Sequence, residues 1–197
     1  MNKKLLIGLG VIVLLIIIFY SFFAGKYNDM VTKSELVNRH WADVETAYQR
    51  RADLIPNLVE TVKGYADFEQ ETLTQVIEAR SKATAVNVNA NDLNPESIAQ
   101  FQQAQKGLSS ALSRLMVVVE KYPDLKANQN FLQLQSQLEG TENRISVERR
   151  KFNEATRDYN TYIGLFPQNL LAGMYGFEQK GYFEAEAGAE EAPEVKF

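Results

Sequence analysis

The chain is 197 residues long, with 45% hydrophobic residues, one histidine, no cysteine and a formal net charge of −4. That is enough for one domain of ordinary size plus a membrane anchor, and it excludes disulfides, thiol chemistry and a lipid-modified cysteine. The charge is small and evenly spread, with no basic patch interleaved with aromatics, so nucleic acid is not an expected partner.

From Leu5 to Phe23 there is no charged residue and no proline. About 20 such residues at 1.5 Å each cross a hydrocarbon core of roughly 30 Å. The run is longer than an ordinary signal-peptide core, and Ser21-Phe22-Phe23-Ala24-Gly25 lacks a small residue three positions before a cut after Ala24. A retained transmembrane helix is therefore expected. Phe19, Tyr20, Phe22, Phe23 and Tyr27 sit at its exit as an interfacial aromatic belt. Lys and Arg nearly tie across the span, but the short basic tail with Lys3 and Lys4 favours the cytoplasm. The rest of the chain is then extracytoplasmic.

Directly after the span, Tyr27, Met30, Val37, Trp41, Val44, Tyr48, Ile55, Leu58, Val62 and Tyr65 fall on one 3-4 register, with Ser34 and Arg51 as its polar members. Sustained over about five heptads, this pattern predicts a coiled-coil or bundle seam. Pro56 bends the helix without reversing it, and Leu73, Val76 and Ile77 carry the stripe on to about Ala83. The Asn-rich run Val86 to Asn94 is a loop, and Asn94-Pro95-Glu96 starts a second helix that stops at Tyr122-Pro123. A third, of roughly 40 residues or about 60 Å, runs from about Leu125 to Leu165 with Thr141 and Glu148 interrupting its stripe. Its short connection to the second makes the two antiparallel. Leu170 to Tyr175 forms a short helix before Gly176, and the last segment is too poor in apolar residues to fold without docking. The chain divides into a tail and span (1–25), a helical bundle (26–183) and an acidic Ala/Glu-rich tail (184–197).

The run Arg50-Arg51-Ala52-Asp53-Leu54-Ile55-Pro56-Asn57-Leu58-Val59-Glu60-Thr61-Val62-Lys63-Gly64-Tyr65 closely resembles the signature of the bacterial LemA family of membrane proteins. Glu78-Ala79-Arg80, Tyr122-Pro123-Asp124-Leu125-Lys126-Ala127-Asn128, Phe131-Leu132-Gln133-Leu134-Gln135, Tyr159-Asn160, Phe166-Pro167 and Gly176-Phe177 look like further family motifs, as does Gly188-Ala189-Glu190 with Pro193. Phe152-Asn153 departs from a common Tyr-Asn pair by one hydroxyl. The resemblance implies an all-α protein: an N-terminal transmembrane helix, then an elongated antiparallel bundle of three long helices plus a short C-terminal one. It also implies a single-pass protein of the bacterial inner membrane. Relatives are associated with envelopes, sometimes with an HtpX-type membrane metalloprotease, and one branch with magnetosome membranes.

No chemistry stands out. His40 beside Trp41 reads as a seam-edge residue, and no pair of carboxylates has metal-ligand spacing on an apolar face, so neither metal, cofactor nor enzyme activity is expected. Nucleotide loops and nucleophile elbows are lacking. The group above background is Arg50, Arg51 and Asp53 beside Pro56 and Asn57. One reading pairs Arg51 with Asp53 locally and has Asn57 cap the backbone freed by the proline. The other makes the Arg fork a docking point for another subunit's carboxylates. A thin bundle leaves apolar stripes to share, so a homo-oligomeric scaffold on the bilayer is expected. The alternative is an extracytoplasmic sensor or adaptor acting on a membrane partner such as that protease.

Overall fold

A computed structural model of the chain describes residues 3–64 and 69–184, with side chains from residue 6 onward. These residues form α1 (Lys3–Lys63), α2 (Gln70–Ala85), α3 (Pro95–Val119), α4 (Pro123–Lys126), α5 (Gln129–Gly164) and α6 (Gln168–Tyr175), with no strand among them. Tyr65 and residues 185–197 of the expected tail lie outside the described residues.

The 61 residues of α1 make a rod about 90 Å long. Its first third is exposed apolar surface, and among the described residues it is the one helix long and apolar enough to cross a membrane. From Met30 onward the predicted register turns inward. Met30, Val37, Trp41, Val44, Tyr48, Ile55, Leu58 and Val62 are each 6% exposed or less. The stripe is therefore covered by the chain's own helices, which corrects the expectation that the bundle leaves a seam for other copies.

Two further expectations change. The helix does not continue to Ala83. The chain reverses between Lys63 and Gln70, and α2 lies back along α1, placing Arg80 Nε 2.8 Å from the carbonyl of Ala52. Val76 shares the register numerically and Leu73 lies one residue from it, but a heptad count carries no information about a reversal. The fourth bundle helix is consequently α2, with α6 as an addition. The long third helix is also split, because Asn128 caps a fresh start, its side chain accepting from the amides of Asn130 and Phe131 at 2.9 and 3.1 Å.

The result is an up-down-up-down bundle of α1, α2, α3 and α5. α1 and α5 are antiparallel: the Tyr162 hydroxyl donates to Asp29 at 2.8 Å, the rings of Trp41 and Phe152 lie 5.6 Å apart, and Arg51 meets Glu142. One apolar cluster gathers near the membrane around Trp41, Phe101, Phe152 and Phe183. A second, distal cluster centres on Leu58, Leu108, Leu115 and Phe131.

Candidate functional site

A cleft of about 630 Å³ opens between α3 and α5, floored by α1 and partly filled by the segment after α6. Gly176, at φ +73°, turns the chain out of α6, and its neighbour Phe177 donates its amide to the Ala172 carbonyl. Residues 177–184 then form an extended strap running away from the membrane end.

Side-chain amides hold this strap by its backbone. Asn160 accepts from the Lys180 amide at 2.9 Å and donates to the Lys180 carbonyl at 2.8 Å. Asn153 treats Phe183 in the same way at 2.9 and 2.8 Å, and Gln102 treats Glu184 so at 3.1 and 3.0 Å. Arg149 adds a bond to the Glu184 carbonyl at 2.9 Å and lies over the Phe183 ring. The Gly181 amide donates to the Leu93 carbonyl at 2.8 Å, and a Cβ at Gly181 would stand 2.7 Å from Pro95 Cα, so only glycine allows this approach. Phe183 is 4% exposed and stacks on Trp41, while Lys180 reaches Asn38. Burial lowers the Lys180 pKa, with Glu35 opposing.

Below the strap, the floor is Arg51, 2% exposed. Its Nη1 donates to Ser109 Oγ at 2.8 Å and to Glu142 Oε2 at 2.9 Å. Its Nη2 donates to Gln105 Oε1 at 2.9 Å and to the Gln105 carbonyl at 3.3 Å. Gln105 in turn donates to the Ala83 carbonyl at the end of α2. The guanidinium lies 5.0 Å from the Tyr48 ring centroid, and burial raises the Tyr48 pKa while Arg149 and Arg51 oppose it.

The five residues singled out in the sequence thus separate. Arg51 points inward and its fork is occupied within the chain, whereas Arg50, Asp53, Pro56 and Asn57 are exposed. Asp53 accepts from Gln49 at 2.7 Å, so the expected local Arg51–Asp53 pair is replaced by the contacts across to α3 and α5. The carbonyl freed by Pro56 is that of Ala52, and it is Arg80 that satisfies it instead of Asn57. In the aromatic belt, Phe19, Tyr20 and Phe22 are exposed, Phe23 packs on the membrane-near cluster, and Tyr27 meets the rings of Tyr175 and Phe177 at 4.9 and 5.7 Å.

His40 is 20% exposed, as a seam-edge residue should be. The fold brings Glu148 across to it and Asp43, so their ligand atoms lie within 4.8 Å of one another, a grouping the sequence alone did not display. Glu148 is 1% exposed, and Arg144 Nε at 2.7 Å and Lys151 Nζ at 3.2 Å already compensate its charge. That balance fits a buried ion pair better than a metal site.

A long apolar helix prolonged into a four-helix bundle defines a membrane-anchored, all-α protein. The LemA family model matches residues 40–197, and the chain belongs to the LemA family. It is 25% identical over 173 residues to Protein LemA of Metamycoplasma hominis, covering 88% of this chain and 75% of that one. It is 28% identical over 196 residues to Magnetosome protein MamQ of Magnetospirillum gryphiswaldense, covering 89% and 71%. Against Magnetosome protein MamQ 1 of Paramagnetospirillum magneticum the identity is 28% over 193 residues, covering 87% and 70%.

Proposed function

We propose that this protein is a non-catalytic scaffold of the bacterial cell envelope, anchored in the inner membrane with its bundle outside the cytoplasm, and that copies associate side by side at the membrane surface. The observation that carries this reading is an apolar rim where α1 leaves the bilayer. Phe166, just before α6, and Leu170 and Met174 on it are 80%, 59% and 76% exposed, and Tyr175 at the end of α6 packs on Tyr27. Contiguous exposed apolar surface of this kind marks an interaction site. Its level on α1 is that of the aromatic belt, where neighbouring anchors in one membrane would bring rims together.

The test is to image the full-length protein in detergent. A discrete assembly much larger than one chain is expected, which Leu170→Glu with Met174→Glu should dissociate while leaving the helical circular dichroism unchanged. A monomer at micromolar concentration refutes self-association. Recovery of one stoichiometric protease partner, without any self-assembly, replaces the scaffold by the adaptor reading.

A further inference from the structure

Two lysines stand where α1 leaves the bilayer, one heptad apart on one face. Lys26 is three residues past Phe23, about 4.5 Å along the helix, which is inside a headgroup layer of roughly 5–7 Å per leaflet. Lys33 starts about 10 Å higher, but side chains on a helix lean towards its N-terminus, which here is the bilayer. Both ammonium groups converge on one ring of α5. Lys26 Nζ is 6.0 Å from the Tyr162 centroid and Lys33 Nζ is 5.4 Å from it, and Lys26 also lies 5.6 Å from the Phe22 centroid. Both lysines are half-buried.

The acid placed to neutralise them is engaged elsewhere. Asp29 is three residues after Lys26 and four before Lys33, spacings at which a helix pairs opposite charges. Its carboxylate instead accepts the Tyr162 hydroxyl at 2.8 Å. Neither lysine has a carboxylate or carbonyl partner among the described residues. A ring face attracts a cation through its quadrupole but carries no net charge. Two positive charges are thus positioned without a counter-charge of their own, whereas lysines that merely snorkel would be free to pair with Asp29. Because α5 runs antiparallel to α1, Leu165 follows Tyr162 towards the bilayer, and it is 53% exposed. It adds an apolar residue on the lipid side of that ring.

We propose that Lys26, Lys33 and the Tyr162 ring form a site for the phosphate headgroup of an anionic phospholipid, with the Tyr162 hydroxyl holding Asp29 away from the two lysines. The ligand comes from the membrane itself, since Lys26 lies within the headgroup layer. Zwitterionic phosphatidylcholine carries the same phosphate, but its choline cation opposes the lysines. The site rests on the membrane anchor and not on self-association.

The test is native mass spectrometry of the full-length protein in a neutral detergent, titrated with phosphatidylglycerol or with phosphatidylcholine of the same chains. Each lysine near an anionic headgroup is worth about a fivefold change, so phosphatidylglycerol should be retained at roughly tenfold lower concentration or less. Lys26→Gln with Lys33→Gln should abolish this preference, and Lys3→Gln with Lys4→Gln, at the other end of the span, should keep it. Tyr162→Phe retains the ring but releases Asp29 to pair with the lysines, so it should weaken the preference, and adding Asp29→Asn should restore it. The preference should persist in the Leu170→Glu, Met174→Glu variant, which separates it from self-association. Equal retention of the two lipids overturns the proposal, as does a preference that follows Lys3 and Lys4 instead. Displacement of the lipid by millimolar glycerol phosphate overturns the lipid as ligand in favour of a soluble phosphate. A Tyr162→Phe protein of intact helicity and unchanged preference removes the part assigned to Asp29.

Discussion

Replacing Arg51 tests whether the buried guanidinium holds three helices together. Arg51→Ala removes two buried methylenes beyond Cβ, roughly 1.6 kcal/mol at about 0.8 kcal/mol each. It leaves Gln105 Oε1 without its donor, at a cost of about 1–3 kcal/mol. Glu142 is 57% exposed and returns to water, so its share is under about 1 kcal/mol. Against these stands the desolvation of the guanidinium, which the variant no longer suffers. The net loss is about 2–4 kcal/mol, or roughly 5–15 °C in the melting temperature of a domain this size. Thermal unfolding of the full-length protein in detergent, followed by circular dichroism, gives the value. Arg51→Lys supplies a point charge where the structure uses a fork with four acceptors, and should lose about 1–3 kcal/mol. Arg51→Met keeps the volume and should lose less than Ala. A lysine variant as stable as the parent, or an alanine variant within about 1 kcal/mol of it, would refute the account.

Other perturbations check separate parts of the fold. Phe183→Ala should cost about 3 kcal/mol or more, since the ring closes the membrane-near cluster, and it should shift the emission of Trp41, on which that ring stacks. Unchanged fluorescence would mean that the strap is not seated there. Burial raises the Glu45 pKa above 4.5. The folded state then binds that proton more tightly than the unfolded one, so its stabilisation is complete below pH 4.5 and is lost as pH rises through the raised value. Glu45→Gln should accordingly gain melting temperature relative to the parent between pH 4 and pH 7, and a flat or falling difference would contradict the shift. At the proline, Arg80→Ala should cost about 1–3 kcal/mol because it strands the Ala52 carbonyl. In a Pro56→Ala background the restored helical bond should make the same change cheaper by about 1 kcal/mol, whereas strict additivity would show that Arg80 and Pro56 act independently.

The sequence legible at the level of period proved legible at the level of burial. The register from Met30 to Val62 is the inward face of α1, Arg51 included, and Asn94-Pro95 starts α3 with Asn94 accepting from the Ser97 amide at 2.8 Å. What periodicity could not convey is partnership between distant segments. Arg51 at an inward register position was a sign of a buried polar cluster, but its acceptors on α3 and α5 are 54 to 91 residues away. Asn153 and Asn160 are one heptad apart and so share a face of α5, a spacing that could have marked them as paired clamps. Their target is main chain, which leaves no trace in residue type. The cluster of His40 and Asp43 with Glu148 escaped notice for the same reason, since its third member comes from another helix.

The strap also explains how a bundle with one short member closes its core. α2 has 16 residues, about 24 Å, against 25 and 36 residues in α3 and α5, about 37 and 54 Å. Only the distal half is therefore a complete four-helix bundle. Nearer the membrane the place of α2 passes to the loop after it, which contributes Val88 and Leu93 to the core. Loops bring fewer apolar side chains per length than helices do, and their backbone must still be satisfied. The strap meets both needs at once: Phe183 fills the space among Trp41, Phe101 and Phe152, and Gly181 gives its amide to the Leu93 carbonyl of that loop. Residues near opposite ends of the sequence thus build the half of the core that lies closest to the anchor. Loosening the strap should consequently be felt first at the base of α1, where the rod meets the bilayer.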